Sequence, residues 1–336
     1  MDKKIKVAII DSGILGSTNY QISESINYYV IGEDIMTNQD VEDFCGHGTA
    51  CAHMIHRLCT DVEFKIVKVF DSTLFTHPAL IVNAFEYLTE IDVDIINVSL
   101  SLRDASYMTY IKELYNILIK QGKVVVCAVD NNGNKKNYLN DLENIICVRG
   151  DLLPSDNCFL YNEDISPVVL ANSSPSLIPF RDRHYFFADN SRATAVVTGL
   201  LCQFFKKSND STDRYSMAVQ YLRNHSFLKK WDEINVLQLK EKAKHVKKGS
   251  LKEEDTHIVN TLERLYSKYI DINIIRSPNI NLFDHGLNRI NCLELIRDVR
   301  EEFDVKFELF DLEYPTICSF VAMCCVVRNR MNEHIS

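Results

Sequence analysis

The sequence predicts an α/β chain, a mostly parallel sheet with helices on both faces, followed by a small all-α helical bundle. Apolar, β-rich runs alternate with helical stretches over most of the chain, and such alternation implies right-handed crossovers between parallel strands. Chemistry-bearing residues stand where several of these runs end. Past about residue 250 the apolar spacing becomes helical throughout.

The runs fall at 5–10, 63–70, 93–98, 123–129, 144–149 and 166–171, and the helical stretches at 48–59, 77–90, 107–121 and 191–207. Val7-Ala8-Ile9-Ile10 is continuously apolar, as a strand covered on both faces requires, and it ends at Asp11. Val124-Val125-Val126-Cys127-Ala128-Val129 is a second such strand, ending before Asn131 and the turn signal Asn132-Gly133. Thr49-Ala50-Cys51-Ala52-His53-Met54-Ile55 and Ala193 to Leu201 are rich in small residues, which suits helices packed closely in a core. A further helix is expected at about 211–224.

Four short blocks then carry the chemistry: Asp11-Ser12-Gly13, Gly46-His47-Gly48-Thr49, Asn131, and Ser191-Arg192-Ala193. They offer a carboxylate, an imidazole, an amide donor and a hydroxyl. A serine hydroxyl attacks only when an imidazole takes its proton, and the imidazole needs a carboxylate to hold its tautomer and stabilise its charge. The oxyanion needs preorganised donors, which the Asn131 side chain and the backbone N–H of Ser191 would supply. Open α/β sheets collect such groups at the carboxyl ends of their strands, so Asp11 and Asn131 at strand ends and His47 and Ser191 at helix starts are expected to meet over one sheet edge.

These blocks, in this order, resemble the subtilisin-like (subtilase, S8) serine peptidases over about Lys4 to Cys202. Val7 to Ile14 resembles the family's aspartate block, Gly46-His47-Gly48-Thr49 with Ala52 its histidine block, and Ser191, Ala193 and Gly199 its serine block. Val67-Lys68-Val69-Phe70 and Ile96-Asn97-Val98-Ser99-Leu100-Ser101 agree with two secondary blocks. The resemblance implies Asp11 as orienter, His47 as general acid/base, Ser191 as nucleophile and Asn131 as oxyanion donor. It also implies that Ser99-Leu100-Ser101 and Ala128-Val129-Asp130 form the two walls of a cleft in which peptide binds by strand addition. The chain departs from the family where Asp189-Asn190 replaces Gly-Thr before the nucleophile and Ala195 replaces proline. Asp130 also stands where the family has glycine. It reads either as a polar turn residue at a strand end or as a carboxylate that favours Lys or Arg before the scissile bond.

With 336 residues, 46% of them apolar, the chain is long enough for two domains and is not disordered. A formal charge of −9 without a basic surplus makes nucleic acid an unlikely partner. Eleven cysteines carry no CxxC or other ligand spacing and are expected as reduced core thiols, with no metal and no disulfide framework. Met1 is followed by Asp-Lys-Lys and at once by the first core strand, and no apolar run reaches membrane-spanning length. A cytoplasmic protein without signal peptide or inhibitory pro-segment is therefore expected.

The expected domains are 1–227, a charged linker or surface helix over 228–250, and 251–336. In the last, Ile258, Leu262, Leu265, Tyr266 and Tyr269 recur at helical spacing, as do Leu293, Ile296, Val299 and Phe303, and a final helix is expected over about 316–327. Phe283-Asp284-His285-Gly286-Leu287-Asn288-Arg289-Ile290, with Leu293-Glu294-Leu295 and Glu301 to Val305, resembles an acyl or peptidyl carrier protein around its prosthetic-group loop and second helix. Carriers attach phosphopantetheine to serine in an Asp-Ser-Leu block. Asn288-Arg289-Ile290 has none, so the resemblance implies the fold without the cofactor, and no other cofactor is expected.

Two functions follow as expectations. One is an intracellular endopeptidase with a selective peptide or protein substrate, such as a ribosomally made, cysteine-rich precursor peptide that loses its leader, while a maturation enzyme docks on the carrier-like domain. The other is a catalytically impaired peptide-binding scaffold in the same kind of system.

Overall fold

The computed structural model describes residues 4–131, 136–164, 169–208, 213–228, 231–244, 251–275 and 280–333. The expected turn at Asn132-Gly133, the start of the 166–171 strand, Lys229-Lys230 and the basic stretch from His245 to Gly249 lie outside these residues. Packing divides the chain into two units, Met1–Ser173 with Asp189–Val236, and Ser174–Ala188 with Leu237–Ser336.

In the first unit the strands are β1 (Ile5–Asp11), β2 (Ile22–Ile31), β3 (Asp34–Asn38), β4 (Val62–Lys68), β5 (Ile95–Val98), β6 (Val124–Ala128), β7 (Ile146–Asp151), β8 (Phe159–Tyr161) and β9 (Val169–Asn172). They form one sheet in the order β3-β2-β4-β1-β5-β6-β7-β9-β8, parallel except for the β2–β3 and β8–β9 pairs. The helices are α1 (His47–Leu58), α2 (Pro78–Glu90), α3 (Met108–Lys120), α4 (Asp189–Lys207) and α5 (Arg214–His225), with the first turn of α6 (Glu233–Lys244).

Side-chain alternation on the central strands explains the two covered faces. Ala8, Ile10, Ile96, Val98, Val125 and Cys127 point into one apolar cluster with Leu80, Phe85 and Leu88 of α2 and Ile111, Tyr115 and Leu118 of α3. From the opposite face, Asn97 of β5 accepts a hydrogen bond from the Thr198 hydroxyl of α4 at 2.9 Å. Both partners are fully buried, so this bond satisfies two polar groups and fixes the level of α4 against the sheet.

The second unit holds the antiparallel hairpin β10 (Ser176–Phe180) and β11 (Arg183–Phe187), the remainder of α6, and α7 (Thr256–Tyr266), α8 (Ile272–Ile275), α9 (Arg289–Phe303), α10 (Tyr314–Ile317) and α11 (Phe320–Glu333). Its core joins Ile258, Leu262, Leu265 and Tyr266 to Leu295, Ile296, Val299 and Phe320. Asn288 opens α9 with a reciprocal capping box to Asn291, and Asp304 ends it in a left-handed conformation at φ 50°.

The sequential boundary expected at 227 does not describe this packing. The hairpin at 174–188 belongs to the second unit, where the Leu177 N–H donates to the Leu312 carbonyl at 2.8 Å and Arg300 donates to the Asp182 carbonyl at 2.9 Å. The stretch expected as a charged linker or surface helix contains α6, in which Val236 and Leu239 are buried.

Candidate active site

Asp11 ends β1 and is 1% exposed, and its Oδ1 lies 2.6 Å from His47 Nδ1. An ionised carboxylate only accepts, so Nδ1 carries a proton in this bond and Nε2 is the ring nitrogen directed away from Asp11. The Ser12 N–H also donates to Asp11 Oδ1, at 2.7 Å, which fixes the carboxylate plane.

The approach of His47 to Asp11 depends on glycine. Gly13 has φ 107°, and a Cβ on Gly48 would stand 2.3 Å from the Gly13 carbonyl oxygen, so side chains at these two places would push the loop and the helix start apart. Buried Asp43 then anchors the start of α1. It accepts from the Ser12 hydroxyl (3.1 Å) and from the N–H groups of Cys45 (3.1 Å), Gly46 (2.9 Å) and Thr49 (3.0 Å), together with the Thr49 hydroxyl (2.7 Å). Spacing alone gave no role for Asp43. Its signal was an acidic residue just ahead of a helix start, where it satisfies unpaired N–H groups.

Ser191 lies in the first turn of α4. The turn before it is left-handed at Asp189, with φ 64°. This answers the departure from glycine: aspartate is among the residues that tolerate this region, and it adopts it here. Asn190 takes up the remaining constraints. Its amide oxygen accepts from the Gly150 N–H at 2.7 Å, its Nδ2 donates to the Val129 carbonyl at 3.0 Å, and its backbone N–H donates to Asn131 Oδ1 at 3.3 Å. This bond orients the Asn131 side chain against the start of α4. Arg192, buried beside Ser191, donates to Asp156 Oδ1 and to the Asn172 carbonyl, each at 2.9 Å, so the first turn of α4 is held from two sides. Ala195 is buried in an unbroken helix.

His47, Asn131 and Ser191 line one cleft of about 550 Å³ with Ser99, Leu100, Ser101, Ala128 and Val129. The structure therefore brings together all of these sequence-derived residues, with Asp11 directly behind His47. Asp130 is the exception. Its side chain is 2% exposed and its Oδ2 accepts from Nε and Nη2 of Arg103, each at 2.9 Å, so it offers the cleft no open carboxylate. Of the two readings of Asp130, this pairing agrees with a polar residue held at a strand end. Arg103, which the sequence did not single out, lines the cleft instead.

Among the described residues, Asp11, His47 and Cys51 place potential metal-binding atoms within 4.8 Å of one another. The carboxylate and imidazole already bind each other, and burial pushes the Cys51 thiol well up, so the cluster does not fit a resident metal. All eleven cysteines are free thiols and nine are buried.

Arg289, the first residue of α9, has no hydroxyl, and its guanidinium lies 5.8 Å from the centre of the Phe186 ring of β11. From Asn281 to Phe303 the sequence contains no serine, threonine or tyrosine. These residues do not fit a phosphopantetheine attachment site.

A mostly parallel sheet with helices on both faces, and a carboxylate, imidazole, amide and hydroxyl gathered at its carboxyl edge, define a subtilisin-like fold. Residues 2–149 match the Subtilase family and residues 260–324 match the family described as phosphopantetheine attachment site. The chain thus carries a subtilase domain at its N-terminal side and a carrier-like domain at its C-terminal side. The subtilase match ends before Ser191.

The chain is 30% identical over 148 residues to the major intracellular serine protease of Bacillus subtilis (strain 168), covering 39% of this chain and 44% of that protein. It is 27% identical over 160 residues to the subtilisin-like protease SBT6.1 of Arabidopsis thaliana, covering 44% of this chain and 14% of that protein. It therefore spans less than half of either relative. A cold-adapted subtilisin-like serine proteinase shares the fold with a TM-score of 0.50 at 15% identity, over 64% of this chain and 81% of that one. Among the described residues, no helix is long and apolar enough to cross a membrane.

Proposed function

We propose that this chain is a serine endopeptidase acting on a selective peptide substrate. The observation that carries the reading is the 2.6 Å Asp11–His47 bond behind a cleft lined by His47, Ser191 and Asn131.

An extended peptide adds as a strand along Ser99-Leu100-Ser101, presenting a carbonyl carbon to Ser191. Ser191 Oγ forms the new C–O bond as His47 Nε2 takes its proton, and Asp11 stabilises the imidazolium. The charge moves onto the carbonyl oxygen, where the Asn131 N–H groups, the Ser191 backbone N–H and the N-terminal end of α4 stabilise it. His47 returns the proton to the leaving amine as the C–N bond breaks. Water, deprotonated by His47 in turn, then hydrolyses the acyl ester and restores Ser191.

The substrate class we propose is a ribosomally made, cysteine-rich precursor peptide that loses its leader in the cytoplasm. An intracellular protease relative and eleven cysteines that form no disulfide support that location. The carrier-like domain, having no attachment hydroxyl at Arg289, serves as a docking site for a maturation enzyme.

The test is labelling with a fluorophosphonate probe. Wild type is expected to label and Ser191→Ala to lose the label completely. Absence of labelling in folded wild type would show an impaired, peptide-binding scaffold instead.

A further inference from the structure

The two walls of the cleft leave adjacent strands. Ser99 to Asp104 follows β5, Ala128 to Asn131 follows β6, and β5 and β6 run parallel with Val98 opposite Cys127. Between such walls the side chain on the acyl side of a scissile bond would insert. Here the walls are tied together twice.

On the inner side, the buried Asn137 side chain donates to the Leu100 carbonyl at 3.1 Å and to the Ala128 carbonyl at 3.0 Å, while its oxygen accepts from the Leu102 N–H at 2.9 Å. On the cleft side, Arg103 of the first wall reaches across to Asp130 of the second, one residue before the oxyanion donor Asn131. Leu100, Leu102 and Ala128, which also line the cleft, are at most 5% exposed.

We propose that the Arg103–Asp130 pair closes the primary side-chain pocket, so that the peptidase cleaves after small residues, glycine, alanine or serine. This rests on the peptidase reading and names its substrate class. Three larger alternatives fail on physical grounds. A bulky apolar side chain would have to part the pair and break the charge-assisted bonds of Arg103 to the buried Asp130 carboxylate, which is unfavourable. A substrate Lys or Arg would replace an intramolecular cation by an intermolecular one and forfeit the high effective concentration of Arg103. A substrate carboxylate would face a guanidinium whose charge Asp130 already offsets, and would carry its own repulsion with that carboxylate.

The test uses the full chain and peptidyl diphenyl phosphonates that differ only in the acyl-side residue, with rates of Ser191 modification normalised to a small fluorophosphonate that has no such side chain. The alanine reagent is expected to react at least about tenfold faster than the phenylalanine, lysine or glutamate reagents, the discrimination a filled pocket commonly gives. Removing both partners at once, in Arg103→Ala with Asp130→Gly, avoids a lone buried charge and is expected to bring the phenylalanine reagent within about threefold of alanine. Equal reaction of wild type with the large reagents overturns the proposal, as does unchanged selectivity in the double variant. If the small fluorophosphonate itself fails to label wild type, it is the peptidase reading that fails.

Discussion

Two helix starts in this molecule can be set side by side. At the start of α4, Ser191 shares a cleft with His47 and Asn131, and the turn before it keeps a left-handed residue although glycine has been replaced by Asp189. At the start of α9, the capping box and the core beneath are intact, but the position that would carry a prosthetic group is Arg289, packed over Phe186. Both units keep a helix start of the expected backbone form, and only the first keeps the residue types that the proposed chemistry needs. A fold and a site are separable: core packing preserves the first, and a single side chain decides the second.

Loss of Asn131, the proposed oxyanion donor, is the largest effect that sharpens this contrast. Asn131→Ala is expected to lower kcat for peptide hydrolysis by roughly 100- to 1000-fold with a small change in KM, since the donor acts mainly on the developing charge. Steady-state kinetics on a peptide with a small acyl-side residue would measure it. An equal change in KM alone would place Asn131 in ground-state binding.

Asn190→Ala removes both side-chain bonds that tie the turn before Ser191 to Val129 and Gly150. Leaving those half-buried backbone groups unsatisfied is expected to cost about 1–3 kcal/mol of stability by chemical denaturation, with a loss of about tenfold in kcat. Asn190→Asp keeps the acceptor for the Gly150 N–H and is expected to fall between the two in stability.

Acid should weaken both units in the same direction. Burial lowers the pKa of His53 in α1 and of His184 in β11 to about 4, and Arg300 adds to the effect at His184. The unfolded chain binds these protons from about pH 6.5 downward, so stability is full above that value and falls as pH drops toward about 4. The loss approaches on the order of 3 kcal/mol per histidine over that range. His184→Phe is expected to flatten the dependence for the second unit, as read by thermal melts at several pH values; a curve superimposable on wild type would refute the assignment.

The smallest expected effect is a null. Wild type incubated with coenzyme A and a broad-specificity phosphopantetheinyl transferase is expected to show no mass gain, because α9 begins with Arg289 and no hydroxyl follows up to Phe303. A mass gain mapped to this helix would erase the contrast between the two units.

Apolar runs such as Val7 to Ile10 and Val124 to Ala128 were legible because strands buried on both faces have continuous apolar sequence. The outer strands β2 and β3 were not, since β3 is exposed along its whole length and carries no burial pattern. Hairpin β10–β11 was missed for a different reason: its burial depends on residues far along the chain, such as Leu312 and Phe307. The residues Asp11, His47, Asn131 and Ser191 could be read from local context, as polar groups at strand ends and helix starts.

By itself the sequence determined the α/β class, the helical C-terminal region, the types and order of the site residues, and the missing hydroxyl at Arg289. These are encoded by periodicity and by residue identity, which are local properties. Only the tertiary structure decided that Asp189 adopts the left-handed turn, that Asn190 and Asp43 hold the site in place, and that Asp130 is bound to Arg103. The partner of a buried polar group is fixed by which strands lie side by side, and adjacent strands such as β5 and β6 are separated in sequence by a whole helix.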